Sequence, residues 1–268
     1  MVATFEYLGE ALSPCGTSPS LAAASAALPA GAYTSLRTYG GRRVLRLAQH
    51  VRRLGESLPG HPPSLPESTV RAAVTAALKA TGHPESRLRL TFAPPRLFIS
   101  VEPFTPLPEA LYRDGVSCVT LGLHRQNPRA KDTRFIATAE QAYRALPPGV
   151  QEGLMRGEEG AILEGLSSNF FAITRGELRT EEERVLQGVT RALVLEVARK
   201  VLPVILRPVR FDQLAELDEC FITSVSREIL PVVTIDGHSI GGGRPGAVTR
   251  DLMGRWAGLV QREAEELL

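Results

Sequence analysis

Cysteine is scarce in this sequence of 268 residues, which contains three: Cys15, Cys118 and Cys220. An odd number without a CxxC pair indicates neither a disulfide framework nor a zinc knuckle, and favours a reducing compartment. No apolar run reaches the about 18 residues that a membrane-spanning helix needs. The Ala/Ser-rich stretch 21–29 lacks the basic leader of a signal peptide, because no Lys or Arg precedes Arg37. We therefore expect a cytoplasmic protein that does not enter a membrane.

An excess of charge of either sign is also missing. The chain has 31 Lys and Arg residues against 29 Asp and Glu residues, and it contains no block of basic residues. Such a balance gives little electrostatic reason to expect nucleic acid or a membrane surface as a partner. The five histidines show no metal-ligand spacing, so we expect no metal site.

Lysine is also scarce. Only Lys79, Lys131 and Lys200 occur among the 31 basic residues, and the other 28 are arginines. A guanidinium group stays protonated in proteins, whereas an amine that loses its proton is a nucleophile. A reaction that needs an amine nucleophile therefore has three candidates in this chain.

Helical periodicity and strand-like alternation both occur in each half of the chain, which predicts an α+β protein. Closely spaced prolines in the segment 104–108 favour an extended connection rather than a helix. We predict a small N-terminal α/β domain over residues 1–105, a proline-rich linker over 106–114 and a larger C-terminal domain over 115–268.

Several elements can be predicted by residue. Residues 1–29 have weak patterning, so we expect irregular structure or a short helix there. A helix is predicted from about Pro66 to Thr81, with Gly82 as its stop. Further helices are predicted from about Thr190 to Val201 and from near Ala247 toward Leu267.

Lys131 begins an ordered series of short motifs. It stands in the segment NPRAKDT, and 33 residues later Glu164 begins the segment EGLSSNFFAI. The turn RG, the segment LRT and then LQGVTRALVLEVA follow, and in the last of these a glycine leads directly into a predicted helix. A loop of small residues, a strand, a turn and a glycine before a helix make up a series rather than one isolated match.

In these motifs the sequence resembles the class IV aminotransferases. These are the fold-type IV pyridoxal 5′-phosphate (PLP) enzymes, which include branched-chain and D-amino-acid aminotransferases and aminodeoxychorismate lyase. The matched pattern is a lysine, then EGxxSNxF, GxLxT and LxGxTR; it covers residues 131–198 closely, and residues 31–54 match the family's opening more loosely. The resemblance implies a small N-terminal α/β domain, a larger C-terminal domain around a distorted β-barrel, and a homodimer.

The resemblance assigns the two central residues of the chemistry. Lys131 would hold PLP as a Schiff base and, once the substrate amine has displaced it, would move a proton between the substrate Cα and the cofactor as general base and acid. Glu164 would pair with the pyridine nitrogen and keep it protonated, so that the ring withdraws electrons from the substrate.

A second group of residues carries the donors that a phosphate needs. The amides and the dipole at a helix N-terminus favour an anion, and a hydroxyl at Thr190 is also typical of a helix N-cap. Arginine binds phosphate through paired N–H donors. By resemblance the phosphate ligands are Arg53, Gly188, Val189, Thr190, Ser224 and Val225, the last through its backbone amide.

The substrate residues follow the family less closely. Tyr33 occupies the position of an aromatic residue that faces the substrate in relatives, but Thr34 follows it where relatives often have Glu. The hairpin arginine that binds a substrate carboxylate in many relatives is missing, and Arg89 or Arg96 is the candidate replacement. The tyrosine that several aminotransferases have shortly after the lysine is Ile136 here.

We therefore expect a PLP-dependent aminotransferase, similar to branched-chain aminotransferases, that moves an amino group from an amino acid to a 2-oxo acid. Two alternatives remain open. The segment Tyr33-Thr34-Ser35 also favours an aminodeoxychorismate lyase, which releases pyruvate and 4-aminobenzoate, because some lyases have a pair of threonines there. The missing carboxylate-binding arginine is compatible with a non-catalytic PLP-binding protein.

Overall fold

Strand-like alternation in residues 86–103 produces a β-hairpin inside an antiparallel sheet. Leu88, Leu90 and Phe92 are buried on one face of that sheet, as the strand period of two requires. The structure is a computed structural model that describes residues 1–9, 11–60 and 65–267. His61, one of the five histidines considered above, lies outside the described residues.

The described residues form the following elements. The strands are β1 (Val2–Leu8), β2 (Ala11–Ser18), β3 (Ala32–Arg37), β4 (Arg43–Leu45), β5 (Ser86–Ala93), β6 (Arg96–Pro103), β7 (Val116–Leu121), β8 (Val150–Arg156), β9 (Ile162–Gly165), β10 (Asn169–Thr174), β11 (Glu177–Arg179), β12 (Val204–Ile205), β13 (Glu219–Ser224), β14 (Glu228–Ile235), β15 (His238–Ser239) and β16 (Ala264–Glu266). The helices are α1 (Leu21–Ala26), α2 (Leu47–Glu56), α3 (Glu67–Thr81), α4 (Glu109–Asp114), α5 (Arg134–Arg144), α6 (Val189–Ala198) and α7 (Ala247–Glu263).

The chain divides into two compact units, and the first consists of Met1–Thr105, Ala130–Thr138 and Val260–Leu268. Its main sheet has the strand order β2-β1-β6-β5-β3, and all neighbouring strands are antiparallel. Helices α2 and α3 add apolar side chains to the core of this unit, which includes Leu36, Leu54, Val70, Val74, Leu90 and Ile99. This packing fixes α2, the helix that carries the predicted phosphate ligand Arg53.

The second and larger unit consists of Pro106–Arg129 and Ala139–Leu259. Six of its strands close into a barrel in the order β10-β13-β14-β7-β8-β9, because β9 pairs with both β8 and β10. Strand β7 runs parallel to both of its neighbours, the other pairs are antiparallel, and register shifts in three pairs distort the barrel. The predicted α+β class, with a distorted barrel in the larger part of the chain, is confirmed.

Two segments do not follow the predicted division of the chain into consecutive domains. Residues 106–114, expected to be a linker, contain helix α4, and Leu111 packs against the core of the second unit. Residues 130–138 belong to the first unit rather than to a domain 115–268, because their backbone pairs with β3. A local sequence pattern cannot show that residues 130–138 pair with β3, since the paired residues lie far apart in the chain.

The predicted bounds of α3 agree with the structure, α6 ends at Ala198 rather than at Val201, and the predictions for the two ends of the chain are wrong in part. Helix α3 stops at Gly82, whose φ of +63° is a left-handed conformation that glycine adopts without penalty. Residues 1–29 form two strands as well as α1; β2 is exposed along most of its length, so no hydrophobic alternation reveals it. The last helix ends at Glu263, because pairing with β4 draws Ala264–Glu266 into β16.

Candidate active site

Backbone hydrogen bonds hold Lys131 at the start of β3. The Tyr33 amide donates to the Lys131 carbonyl over 2.8 Å, and the Lys131 amide donates to the hydroxyl of Ser57, the C-cap residue of α2, over 3.0 Å. The Lys131 Nζ atom lies 5.0 Å from the centre of the Tyr33 ring, within the range of a cation–π contact. The structure thus brings together the predicted amine and the predicted aromatic substrate residue.

A buried hydrogen-bonded chain joins β3 to α2. The Thr34 Oγ1 atom lies 2.7 Å from His50 Nδ1, and Arg53 Nη2 donates to the same Thr34 oxygen over 2.6 Å. All three residues are buried. Because side chains alternate along a strand, Thr34 faces α2 while Tyr33 points to the opposite face of the sheet.

Arg53 is a buried cation without a counter-ion among the described residues. It is 7 % exposed, its hydrogen bond goes to a neutral hydroxyl, and its Nε atom is buried without a partner. Burial lowers the pKa of Arg53 to about 10, and the ionised forms of Tyr33 and Glu56 offset part of that effect. A buried guanidinium is unfavourable without a partner, so this position suits a bound anion.

His50 lies close to two positive charges. Burial lowers the pKa of His50 well below its ordinary value, and the charges of Arg53 and Lys131 lower the pKa further. The imidazole is therefore neutral at neutral pH. Because the charges of Arg53 and Lys131 both lower the pKa of the same imidazole, both residues contribute positive charge to the surroundings of His50 in the first unit.

The two arginines considered for the substrate carboxylate have different surroundings. Arg96 donates to Glu6 through both Nε and Nη2, at 2.6 and 2.7 Å, in a bidentate ion pair. Arg89 donates to the Ser25 hydroxyl over 2.8 Å, and its guanidinium carbon lies 4.9 Å from the centre of the Tyr33 ring. Arg89 therefore lies beside the predicted substrate residue, whereas Glu6 holds the Arg96 guanidinium.

In the second unit, several donors converge on the carboxylate of Glu164. Arg125 Nε donates to Glu164 Oε1 over 2.9 Å, and both side chains are buried. The Leu186 amide and the Asn169 side-chain amide donate to Glu164 Oε2 over 3.1 and 3.3 Å. Glu164 is therefore a fixed, ion-paired carboxylate, which suits it to accept a hydrogen bond from a protonated ring nitrogen.

Asn169 connects the predicted residues of the second unit. In the barrel register it lies opposite Glu164 on β9 and Thr223 on β13. Its amide also donates to the Leu186 carbonyl over 2.8 Å. A Cβ atom at Gly188 would lie 2.5 Å from Asn169 Oδ1, so a larger residue there would displace the Asn169 amide. The structure thereby brings Glu164, Gly188 and the end of β13 together.

The N-terminus of α6 has the features of an anion site. The helix begins at Val189, with Gly188 as its N-cap residue and no side-chain cap. The expectation that the Thr190 hydroxyl caps this helix is wrong, since Thr190 is already the second helical residue. Uncapped amides at a helix N-terminus bind anions. The Thr223 hydroxyl is a further buried polar group without a partner.

The turn between β13 and β14 contains the predicted ligands Ser224 and Val225. The Arg227 amide donates to the Ser224 hydroxyl over 3.3 Å, and Arg227 Nη1 pairs with Glu152 Oε2 at 2.5 Å. Glu152 is fully buried and also accepts a hydrogen bond from Ser168 over 2.9 Å. The ion pair of Arg227 with the buried Glu152 therefore anchors both this turn and the loop between β9 and β10.

Three further properties bear on the predictions from sequence. Among the described residues, no group of three or more His, Cys, Asp or Glu side chains could hold a metal ion. In the same part of the chain, no helix has the length and apolar character needed to cross a membrane. Cys15, Cys118 and Cys220 are all unpaired.

Three side chains that support the site were not identified from the sequence: Ser57, Arg125 and Arg227. They contact residues that are 74, 39 and 75 positions away in the chain. No local periodicity or spacing signals a contact over that separation. Asn169 differs from these three, because it belongs to the EGxxSN motif, and that motif could have identified it as a site residue.

Comparison with known proteins identifies the family. The sequence pattern of the family described as Amino-transferase class IV matches residues 31–235. The chain belongs to the class IV aminotransferase family. The resemblance inferred from the motifs is confirmed, and the protein is a PLP-dependent aminotransferase.

Individual relatives agree with this assignment. A putative branched-chain-amino-acid aminotransferase of Methanocaldococcus jannaschii is 26% identical over 243 residues, which are 83% of this chain and 84% of the relative. The branched-chain-amino-acid aminotransferase of Pseudomonas aeruginosa is 25% identical over 267 residues, covering 88% and 85%. The crystal structure of the T.th. branched-chain amino acid aminotransferase with pyridoxamine 5′-phosphate shares the fold, with a TM-score of 0.81, 21% identity and coverage of 99% and 98%.

The described residues fit PLP. Arg53 offers a buried guanidinium whose Nε lacks a partner, and the hydroxyl of Thr223 is buried and unsatisfied. Gly188 leaves the space of a side chain at an uncapped helix N-terminus. Within the first unit, Arg53 suits an anion such as a phosphate and Lys131 supplies an amine for an aldehyde. Within the second unit, the N-terminus of α6 and Thr223 also suit an anion, and Glu164 suits a pyridinium nitrogen.

Proposed function

We propose that Lys131 is the amine that holds PLP in this aminotransferase, and that a branched-chain amino acid donates the amino group to a 2-oxo acid. One observation carries the assignment of Lys131. Its amine lies against the Tyr33 ring and acts electrostatically on the buried His50, whereas Lys79 and Lys200 are exposed on helix-terminal positions. When bound, PLP withdraws electrons from the substrate Cα and so makes the Cα proton removable.

In this proposal the first unit supplies the residue that transfers the proton and one of the phosphate ligands. The Lys131 amine accepts the proton from the substrate Cα and returns it during the half-reaction. The Lys131 backbone is fixed by Tyr33 and Ser57, so that the amine starts from a defined place. Arg53 provides the cationic ligand of the phosphate.

The second unit supplies the remaining contacts in the proposal. Glu164, oriented by Arg125 and Asn169, accepts a hydrogen bond from the pyridine nitrogen. The amides of Val189 and Thr190 donate to the phosphate, together with the hydroxyl of Ser224 and the amide of Val225. The ion pair between Arg227 and the buried Glu152 supports that turn.

The substrate assignment rests on two supports. The curated relatives that cover most of the chain are named as branched-chain-amino-acid aminotransferases. In the first unit, Arg89 lies beside Tyr33 and is the candidate for the substrate carboxylate, while Glu6 holds Arg96. We expect Arg89→Ala to raise the KM for the amino donor more than it lowers kcat.

Lys131→Ala tests the proposed function. Wild-type protein loaded with PLP should show the visible absorbance band of lysine-bound cofactor and shift to the pyridoxamine spectrum on addition of leucine, isoleucine or valine. Lys131→Ala should lose the band and about 10³-fold or more of the transamination rate, because the proton then lacks its acceptor. Lys79→Ala, on an exposed residue, is the matched control and should behave like wild type.

Other outcomes would select the alternatives. An unchanged band in Lys131→Ala would reject Lys131. Release of pyruvate from aminodeoxychorismate without a 2-oxo acid would favour the lyase over the transaminase. A wild-type protein that binds PLP but converts no amino donor to the pyridoxamine form would be a non-catalytic binder.

The assembly and location of the protein belong to the same proposal. The family resemblance favours a homodimer, and the three unpaired thiols favour a cytoplasmic location. Light scattering coupled to size-exclusion chromatography should give twice the 29.0 kDa chain mass. A mass of one chain would reject the dimer.

A further inference from the structure

The environment of Arg53 raises the question of what orients it. A buried arginine usually lies against a carboxylate, but Arg53 donates to Thr34 Oγ1 instead. Thr34 is completely buried, and its oxygen also lies 2.7 Å from His50 Nδ1. A single hydroxyl on β3 therefore connects two side chains of α2.

The donors and acceptors in this chain can be assigned. A guanidinium only donates, so Thr34 Oγ1 accepts from Arg53 Nη2. Thr34 is completely buried, so its own hydroxyl proton needs an acceptor within the protein. Among the described residues, His50 Nδ1 is the acceptor within hydrogen-bond reach of that proton. His50 Nδ1 is then unprotonated, and the ring carries its proton on Nε2. The lowered pKa of His50, caused first by burial, agrees with a neutral imidazole.

We propose that Thr34 is a positioning residue for phosphate binding: its hydroxyl, oriented by neutral His50, holds the Arg53 guanidinium at Nη2 and leaves Nε, which is buried without a partner, to donate to the phosphate. This inference rests on the proposed role of Arg53. Thr34 itself acts through Arg53 and does not contact the phosphate.

The chemistry of the residue at position 34 explains why a hydroxyl is suitable. A valine would leave both Arg53 Nη2 and His50 Nδ1 without a partner in a buried place. A hydroxyl orients the guanidinium and adds no charge, so the full positive charge remains available to a dianionic ligand.

Paired titrations with PLP and pyridoxal test the inference, because the two compounds differ only in the phosphate. Each dissociation constant is measured from the visible absorbance band for the wild type, Thr34→Val, Thr34→Ser and Thr249→Val. Thr34→Val should weaken PLP binding about tenfold, as expected for the loss of one hydrogen bond to a charged group, and leave pyridoxal binding unchanged. Thr34→Ser should restore PLP binding.

Thr249→Val is the matched control. Thr249, on α7, is fully buried like Thr34, and its hydroxyl has no partner. Thr249→Val likewise replaces a buried hydroxyl by a methyl group, and it should leave the binding of both compounds at the wild-type level. Equal weakening of PLP and pyridoxal by Thr34→Val, or no weakening of either, would overturn the inference.

A measurement on the wild type covers the case in which Thr34→Val does not fold. Nitrogen-15 NMR of the imidazole rings, with the signals assigned by His50→Asn, should show His50 as the neutral Nε2–H form. A proton on Nδ1 would overturn the inference. If the wild-type protein shows no PLP band, the proposed function is rejected. If the wild type binds PLP normally and Thr34→Val binds it equally well, only the role of Thr34 is rejected.

Discussion

Buried arginines in this protein differ in what balances their charge. Arg125, which is buried, and Arg227, which is partly buried, each pair with a buried glutamate, so their charges are compensated within the second unit. Arg53 has a hydroxyl in place of a carboxylate. At the scale of residues, two of these arginines therefore hold the structure in place, and the third is the one suited to attract a ligand.

Arg227→Met should strongly destabilise the protein. The substitution leaves Glu152 fully buried without its cation, a change that typically costs about 3–5 kcal/mol of the free energy of unfolding. Denaturant titration of the variant and of Arg144→Met, which removes an exposed arginine on α5, gives the comparison. The double variant Glu152→Gln/Arg227→Met should recover most of the loss, and a failure to recover would show that the uncompensated charge is not the cause.

His50 should make the protein less stable in mild acid. Its pKa in the folded protein is lowered below the ordinary 6.5, so below pH 6.5 the unfolded chain binds a proton that the folded chain does not. The free energy of unfolding therefore falls by up to about 1.4 kcal/mol per pH unit as the pH decreases from 6.5 toward the folded pKa. His50→Asn, whose amide oxygen can still accept from Thr34, should flatten this slope in unfolding curves taken between pH 7.5 and about 5. His124→Asn, at an exposed position, should not flatten it.

At the scale of elements, the N-terminus of α2 is capped from the other end of the chain. Arg46, the N-cap residue of α2, has a left-handed conformation and no side-chain cap. The Glu265 carboxylate of β16 accepts from the Leu47 amide over 3.0 Å and pairs with Arg71 of α3. The Leu267 amide adds a hydrogen bond to the Arg42 carbonyl over 2.9 Å. Strand β16 thus secures the helix that carries Arg53.

Glu265→Ala should therefore lower the free energy of unfolding by about 1 kcal/mol, the usual effect of removing a helix cap. The part of the effect that comes from the Arg71 pair should decrease at high salt. Glu266→Ala, one residue later and more exposed, should change stability by less than about 0.5 kcal/mol. Equal effects of the two substitutions in thermal and denaturant unfolding would contradict the capping role.

The site residues predicted from the sequence are those with a local signal. The EGxxSN and GxT segments are contiguous, so Glu164, Gly188 and Thr190 could be named before their surroundings were known. Strand β16 could not be predicted, because its sequence AEE favours a helix and only pairing with β4 makes it a strand. The partners of Glu164 and Glu152 could not be predicted either, since Arg125 and Arg227 reach them through the fold of the barrel.

At the scale of the whole molecule, the three lysines allow the site to be mapped chemically. Borohydride delivers hydride to the carbon–nitrogen double bond that joins PLP to its lysine, and so converts the bond into a stable amine. Mass spectrometry of the digested protein should find the label on Lys131 and not on Lys79 or Lys200, although both are exposed. A main label on either of the other two lysines would contradict the assignment.

The preference for arginine also affects how the enzyme tolerates its own reactants. Carbonyl compounds such as 2-oxo acids and free pyridoxal phosphate condense with unprotonated primary amines, whereas guanidinium groups remain protonated and do not compete. With 28 arginines and two exposed lysines, the chain carries most of its positive charge in groups that do not form Schiff bases with 2-oxo acids or pyridoxal phosphate. Long incubation with excess keto acid should therefore cause little browning or cross-linking of this protein compared with a lysine-rich one.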